Sequence, residues 1–281
     1  MNSLEASFRH CAEVTQKRAK NFYFGIKLLP AERRNALCAV YAFFRYCDDV
    51  SDDGGTDRAR LLARWKEAVD PESGVEDPSP ILPAFHDTVR RYGIPTRYFL
   101  ELIEGTEMDL VKNRYANFDE LYGYCYRVAS TVGLVCVHIF GFDGSPEALQ
   151  QAEYRGIAFQ LTNILRDVAE DVGLGRIYLP QDELERFGVT EAALLAGKPE
   201  PEFAAFIEFQ VARARDYYVR SEPLADRIEG VSRPSLAAMT RIYRELLEKI
   251  ARLGPKVITT RAQLTKLEKL KLAGESLLGV R

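Results

Sequence analysis

The chain contains few histidines and cysteines, and their spacing argues against two common kinds of site. The three histidines, His10, His86 and His138, never stand four residues apart, so a helical histidine pair for a metal is missing. The five cysteines are odd in number and form no C-x-x-C pair, which disfavours a disulfide framework and a zinc site. We therefore expect a reducing compartment.

A long apolar segment is missing as well. The longest apolar stretch, Val132 to Phe142, is interrupted by His138 and is shorter than the roughly 18 to 20 residues that span a bilayer. The polar residues 1–20 contain no apolar core of the kind that a secretory signal needs. We expect a cytoplasmic protein without a transmembrane anchor, and peripheral contact with a membrane surface if its substrate is apolar.

The charge balance provides no basic field for a nucleic acid. Lysine and arginine total 38 against 41 aspartates and glutamates, a formal net charge of −3. The chain is 47% hydrophobic and 28% charged, which is typical of a globular protein with a packed core. No nucleic-acid partner is expected, no oligomeric state is predicted, and function must lie in local clusters of residues.

Helical periodicity dominates the sequence. Alternating strands joined by Asn-Gly or Asp-Gly turns are missing. Asn117 with a glutamate three residues later, and Ser145 before a proline, predict the starts of two long helices. Turn signals, of which segment 70–80 is the clearest, divide the helical sequence into about eight predicted helices. Because no linker or repeat divides the chain, we predict an all-α fold in which residues 1–281 form one domain.

The first functional candidate is the acidic segment DDVSDD at residues 48–53, which ends a predicted apolar helix. The C-terminal end of a helix is negative, so each exposed carboxylate there is disfavoured by about 0.3–1 kcal/mol, and neighbouring acids add to the conflict. A bound cation would remove it. At about 100° per residue, one narrow stripe of this helix carries four polar side chains: Tyr41, Arg45, Asp48 and Asp52.

The second candidate is a similar helix end within residues 160–171, just before a glycine. One stripe of it carries amide and carboxylate oxygens: Asn163, Asp167 and Asp171. Two such stripes suit magnesium, because this ion prefers oxygen ligands and its coordination shell is commonly completed by water and substrate phosphates. Across a helix bundle the stripes would hold metal ions that bridge one diphosphate, with Arg45 and Arg166 as phosphate donors. A single acid-rich helix end is often only a solvated surface, but two matched stripes favour a metal site.

Six motifs make the sequence resemble the squalene and phytoene synthase family, the head-to-head prenyl transferases, over nearly its whole length. They are KNFYF with LLP (residues 20–24 and 28–30), YAFFRYCDDVSDD (41–53), MDL (108–110), YCYRVASTVG (124–133), QLTNILRDVAEDVGLGRIYLP (160–180) and RIYRELLEKI (241–250). The resemblance implies an isoprenoid-synthase helical bundle with a central cavity, two prenyl diphosphate substrates and Mg²⁺ as cofactor, with more than one ion bound.

The resemblance also implies roles for individual residues. The magnesium ligands would be Asp48, Asp52, Asn163, Asp167 and Asp171. The positions that contact prenyl diphosphate would be Arg18, Lys20, Asn21, Tyr41, Arg45, Gln160, Arg166 and Tyr243. Tyr126 and Tyr243 would join the four aspartates as catalytic residues, and Arg176 beside the second cluster is a further phosphate contact.

Each of these residues also has a structural explanation. The tyrosines lie in apolar helices, where a tyrosine is commonly part of the core. Arg45 and Arg166 could merely pair with the adjacent acids, although an arginine on a metal-binding face also suits a phosphate. Lys20 and Asn21 could be ordinary surface residues. Small or apolar residues could line a substrate cavity or allow tight helix packing: Ala129, Gly133, Cys136, Gly156, Ala158 and Phe159.

The resemblance further favours one reaction. Many family members have serine where this chain has Asn21, and the Asn-Phe-Tyr variant resembles bacterial presqualene diphosphate synthases. We therefore expect condensation of two farnesyl diphosphates to presqualene diphosphate. The alternative is a phytoene synthase that joins two geranylgeranyl diphosphates; a terpene cyclase or a non-catalytic helical scaffold ranks below both. NADPH is not expected, because the Gly-Leu-Gly at 173–175 lacks a preceding strand and a third glycine.

Overall fold

The computed structural model describes residues 3–52, 57–72, 79–198 and 201–279, with the side chains of all of these except Ser51 and Asp52. Within these ranges the chain is helical and contains no β-strand. The only extended pairings there are two isolated β-bridges, Arg114 with Ile177 and Phe142 with Ile228. The predicted all-α class is confirmed.

The described ranges contain fifteen α-helices: α1 Ser3–Arg18, α2 Phe22–Ile26, α3 Ala31–Asp52, α4 Arg58–Ala68, α5 Leu82–Tyr92, α6 Arg97–Val111, α7 Phe118–Cys125, α8 Thr131–Phe140, α9 Pro146–Gly173, α10 Gln181–Phe187, α11 Glu191–Leu195, α12 Pro201–Arg220, α13 Leu224–Arg227, α14 Arg233–Leu253 and α15 Lys266–Leu277. The expected number of about eight was too low. Helices as short as α2, α11 and α13 span little more than one turn, so their periodicity is too weak to detect in the sequence.

Both predicted helix starts are confirmed at atomic detail. The Asn117 side-chain oxygen accepts the backbone N–H of Glu120 at 3.0 Å and opens α7. The Ser145 hydroxyl accepts the backbone N–H of Ala148 at 3.2 Å and opens α9. Each cap satisfies a donor that the first helical turn leaves unpaired.

The two acidic segments end long helices, as the sequence predicts. Helix α3 ends at Asp52, inside the first segment, and α9 ends at Gly173, directly after the second. Helix α9 has 28 residues and is therefore about 42 Å long. One side of this helix is buried along most of its length, from Ala148 to Val168.

One turn of π-helix, Tyr126–Ser130, joins α7 to α8 and packs against α9. The backbones approach closely there, since a Cβ added to Gly156 would lie 2.4 Å from Ser130 Cα. Likewise, a Cβ on Gly133 would lie 2.8 Å from the Ala152 carbonyl oxygen. Tight packing therefore explains both glycines. Single π-turns inside α-helices are frequent at functional sites, which directs attention to the space beside this turn.

The buried apolar side chains form two clusters. One is built mainly from α1, α3, α5, α6 and α8, and the other mainly from α9, α12 and α14 with the segments around residues 177 and 258. Phe22, Tyr126 and Phe159 contact both clusters. The space between the clusters is consequently lined by helices from both halves of the chain.

One stretch of the fold, Phe118–Phe140, is long and apolar enough to cross a membrane by length and composition alone. Half of its most apolar window is buried inside the protein. Such burial is typical of a core helix, so this stretch is weak support for a membrane span.

We predict that Gly156→Ala lowers the free energy of unfolding by about 1–3 kcal/mol, because the new methyl group would overpack the contact with Ser130. Gly274→Ala is the matched control. It lies within α15 with no atom within 4 Å of an added Cβ, so it should leave stability unchanged or raise it. Urea denaturation measures both. Equal stability of the two variants would contradict the close approach of α9 and the π-turn.

Candidate active site

A cavity of about 290 Å³ lies among α3, α8, α9 and α14. Apart from the buried Arg155, its lining along α3 and α9 changes from apolar to polar toward the C-terminal end of each helix, from Leu37 to Asp48 and from Ala152 to Asn163. The cavity therefore has a hydrocarbon wall and a polar end. That polar end is formed by five of the predicted site residues: Tyr41, Arg45, Asp48, Gln160 and Asn163.

On the α3 side, a carboxylate outside the predicted set organises the arginines. Asp49 Oδ1 accepts Arg45 Nη2 at 2.7 Å and Arg18 Nη2 at 2.5 Å. Arg45 Nη1 also lies 3.7 Å from Asp48 Oδ2. Asp49 thus holds two guanidinium groups beside the polar end of the cavity. Burial raises the pKa of the Tyr41 hydroxyl to about 12, so this cavity-lining group is protonated at neutral pH.

On the α9 side, two arginines surround Asp167. The Arg166 guanidinium binds it with two hydrogen bonds, of which Nε to Oδ1 is 2.9 Å. Arg261, in the segment before α15, donates from Nε to the same Oδ1 at 2.7 Å and lies 3.2 Å from Glu170 Oε2. Arg166 and Arg261 thus gather two guanidinium groups, which suit phosphate oxygens, around the carboxylates of Asp167 and Glu170.

Asp171 lies one helical turn beyond Asp167. Burial, together with the negative charge of Asp167, raises the pKa of Asp171 to about 7, although the positive charge of Arg176 opposes the rise. The Arg176 backbone N–H also donates to the Asp171 carbonyl oxygen at 2.8 Å. A partly buried carboxylate next to a second one is stabilised in its charged form by a cation.

Tyr243 connects α14 to the polar end. Burial raises the pKa of Tyr243, whereas the charge of Arg166 and hydrogen bonds from Asn163, Arg166 and Asn21 oppose the rise. Its ring stacks on Phe159 with centroids 4.3 Å apart. Tyr243 therefore connects Asn21 by hydrogen bonds to Asn163, which belongs to the second stripe.

The donors at this end fit a hard divalent cation. Asn163 Oδ1 is buried and has no hydrogen-bond partner, so an acceptor is left for a ligand. In the part of the chain that the structure describes, no three acidic, histidine or cysteine side chains are close enough to hold a metal by themselves. A magnesium ion would therefore depend on substrate oxygens and water for its remaining ligands, as is usual for this ion. The Asp52 prediction falls on a side chain outside the described set.

Two predicted residues lie apart from this group. The Tyr126 hydroxyl donates to Glu101 at 3.2 Å, and burial raises its pKa to about 12. Tyr126 belongs to the π-turn but does not line the cavity. Lys20 is exposed and lies near Lys269 and Arg166 at the margin of the site. Of the small or apolar residues, Ala158 is buried in the second cluster away from the cavity, whereas the others line it.

Sequence reasoning missed two features of the site. Asp109 on α6 accepts the hydroxyls of Tyr178 at 2.7 Å and Tyr124 at 3.0 Å, and its charge contributes to the raised pKa of Asp171. The MDL motif contains Asp109 and was the available signal. Arg261 lies in an irregular segment, 94 residues from Asp167, and no local pattern indicates it.

These features define an all-helical enzyme with an apolar cavity that ends in paired acids and arginines. The sequence profile described as squalene/phytoene synthase matches residues 15–268. The chain belongs to this family, whose members join prenyl diphosphates head to head.

Relatives and solved structures support this assignment. The chain is 39% identical to the phytoene synthase of Mycobacterium tuberculosis, across 99% of this chain and 92% of the relative. It is 36% identical to the 15-cis-phytoene synthase of Synechococcus elongatus, across 95% and 91%. It is also 39% identical to the chloroplastic phytoene synthase 3 of Zea mays, of which it spans 64%.

Two solved structures share the fold closely. A dehydrosqualene synthase in complex with a ligand superposes with a TM-score of 0.90 at 28% identity, across 99% of this chain and 97% of that one. The squalene synthase HpnC from Alicyclobacillus acidocaldarius gives 0.83 at 28% identity, across 89% and 95%. The helical bundle with a central cavity is therefore established for this chain.

We predict that Asp48→Asn and Asp167→Asn each abolish most prenyl-transfer activity, because each removes a carboxylate charge from one of the two acidic helix ends. Helix content and melting temperature should stay near wild type, since these acids are placed where carboxylates repel each other. Asp216→Asn, an exposed acid on α12, is the control and should retain activity. Activity assays with circular dichroism test this. A fully active, magnesium-dependent Asp167→Asn would remove the metal assignment.

Proposed function

We propose that this chain condenses two identical allylic prenyl diphosphates into a cyclopropyl prenyl diphosphate and releases one diphosphate. The observation that carries the proposal is the joining of an apolar cavity to two acid-bearing helix ends and their arginines. An apolar chain fits the cavity wall, and a diphosphate fits the polar end. The family assignment supports the same reaction class.

The polar end would hold the diphosphate of the ionising substrate. Asp48, Asn163, Asp167 and Asp171 would serve as ligands, and bound magnesium would neutralise charge that develops on the leaving diphosphate. Arg45, Arg166 and Arg261 are paired with carboxylates in this structure. When cations occupy those carboxylates, the guanidinium groups become available to the phosphate oxygens, to which arginine binds bidentately.

The cavity wall would protect the allylic cation. Among the side chains that line it are the aromatic rings of Phe22, Phe44 and Phe159. Aromatic faces attract cations, and an apolar wall excludes the water that would quench one. The double bond of the second substrate then attacks the cation, a proton leaves, and the cyclopropane closes. Tyr243, which stacks on Phe159 and hydrogen-bonds Asn163 from behind the cavity lining, would hold these two residues in place.

The first candidate substrate is farnesyl diphosphate, which gives presqualene diphosphate. Asn21, which hydrogen-bonds Tyr243 at the polar end, supports this choice through its resemblance to the presqualene-forming branch. The two solved structures of similar fold, named as a dehydrosqualene synthase and a squalene synthase, are consistent with it. The reaction would end at the cyclopropyl product without NADPH.

The second candidate substrate is geranylgeranyl diphosphate, as in a phytoene synthase. A specific observation favours it, since the phytoene synthases named above are 36–39% identical to this chain, whereas the two squalene-type structures are 28% identical. The two candidates share the polar end and differ only in how much hydrocarbon the cavity must accept.

A competition assay decides between them. Equal concentrations of farnesyl and geranylgeranyl diphosphate with magnesium and no NADPH should yield mainly presqualene diphosphate, identified by mass. Mainly phytoene or its cyclopropyl precursor would establish the second candidate. Squalene formed only after NADPH is added would show that the chain also carries out the reductive step. No condensed product from either substrate would contradict the proposed reaction class.

Magnesium and diphosphate should bind together, because neither finds a complete set of ligands alone. We predict that a non-hydrolysable farnesyl diphosphate analogue raises the melting temperature by several degrees with magnesium and much less in EDTA. Differential scanning fluorimetry measures both conditions. Asp216→Asn should reproduce the wild-type pattern, and Asp48→Asn should lose the magnesium-dependent part. An equal rise in EDTA would contradict joint binding.

A further inference from the structure

Helix α15 exposes a stripe of leucines. Leu267 is 77% exposed, Leu270 50%, Leu277 60%, and Leu278, which caps the helix, 80%. At about 100° per residue these four side chains fall within one third of the helix circumference. We call them the leucine stripe. The other exposed large apolar side chains of the described residues are scattered over the remaining helices and loops, whereas these four share one surface.

The helix is firmly held by its opposite face. Ala273 and Ser276 are buried, and α15 packs on α14 and α2. A capping box fixes its start, with the Thr265 hydroxyl and the Glu268 carboxylate each satisfying a backbone N–H of the other residue. The leucine stripe is therefore presented on a formed helix, and it faces away from the core.

The exposed charged side chains that flank the stripe are both lysines. Lys266 and Lys271 are exposed and flank the stripe on its two sides. The acids of the helix lie toward the protein, where Glu268 binds Lys249 at 2.7 Å and Glu275 binds Arg241 at 3.3 Å. In a chain of net charge −3, this face thus combines apolar side chains with two exposed lysines, of which Lys271 also lies 3.9 Å from Glu275 Oε1. That combination is typical of helices that lie in the surface of an anionic bilayer.

The stripe also lies close to the polar end of the cavity. Lys269, on the same helix, is near the positive charges of Arg166 and Lys20, and its Nζ lies 6.0 Å from the centroid of the Phe24 ring. The segment that leads into α15 carries Arg261, which binds Asp167 directly. Helix α15 and the segment before it therefore lie beside the arginines of the second acidic segment, while the leucine stripe occupies the outward face of the helix.

From this arrangement we infer that the leucine stripe is a docking surface for a lipid bilayer with anionic headgroups. The leucines would enter the boundary between headgroups and acyl chains, and Lys266 and Lys271 would contact the phosphates. A second copy of the chain is the alternative occupant, and concentration-dependent association in the absence of lipid would reveal it. The inference rests on the proposed function in one respect: substrates and products with long hydrocarbon chains reside in membranes.

Vesicle co-sedimentation without substrate tests the inference. Wild-type protein should bind vesicles of phosphatidylcholine with a substantial share of phosphatidylglycerol and bind pure phosphatidylcholine weakly. Leu267→Glu with Leu270→Glu should reduce partitioning at least about tenfold, since each buried leucine contributes strongly. Lys266→Glu with Lys271→Glu should reduce binding to the anionic vesicles by about tenfold. Val219→Glu, an exposed valine on α12, is the matched control and should bind like wild type.

Circular dichroism and turnover in detergent solution separate this result from misfolding and from failure of the proposed reaction. The leucine variants should stay folded and turn over detergent-dispersed substrate like wild type, because none of these side chains touches the cavity. Wild-type protein that ignores anionic vesicles, or leucine variants that bind them normally, would overturn the docking surface whatever the reaction proves to be. Concentration-dependent dimerisation of wild type, lost in the leucine variants, would assign the stripe to a second copy instead.

Discussion

The structure depends on negative charge concentrated at the C-terminal ends of two long helices. Asp48 on α3 and Asp167 and Asp171 on α9 add carboxylates to helix ends that are already negative. The protein pairs these helix ends with its own arginines: Arg45 with Asp48 and Asp49, and Arg166 and Arg261 with Asp167. The carboxylates that would bind metal ions therefore also hold nearby the arginines that would bind phosphate.

The hydrocarbon part of the site follows from a different constraint. The close approach of α9 to the π-turn requires Gly156, and the cavity continues past this contact between two apolar clusters. Near the inner part of the wall, Arg155 is buried and donates to Ser221 Oγ at 2.8 Å and to the Ser221 carbonyl oxygen at 2.9 Å. Its charge meets the negative C-terminal end of α12, so a guanidinium is accommodated beside an apolar cavity.

The sequence was informative wherever local rules applied and uninformative where contacts cross long distances. Capping residues Asn117 and Ser145 marked helix starts, and both acidic segments end helices as the sequence predicts. Arg261 could not be found in this way, because it reaches Asp167 across 94 residues from a segment without periodicity. The contact of Tyr243 with Asn163 also required the packing of α14 on α9.

The central claim is that the two helix ends hold magnesium together with one diphosphate. The most direct measurement is anomalous diffraction from crystals grown with Mn²⁺, as a substitute for Mg²⁺, and a non-hydrolysable prenyl diphosphate. The account predicts metal peaks at coordination distance from Asp48 and Asp167 that bridge to the diphosphate, with Arg261 released from Asp167. A diphosphate bound by arginine and lysine alone, with both aspartates still paired to arginines and no metal between the helices, would contradict it.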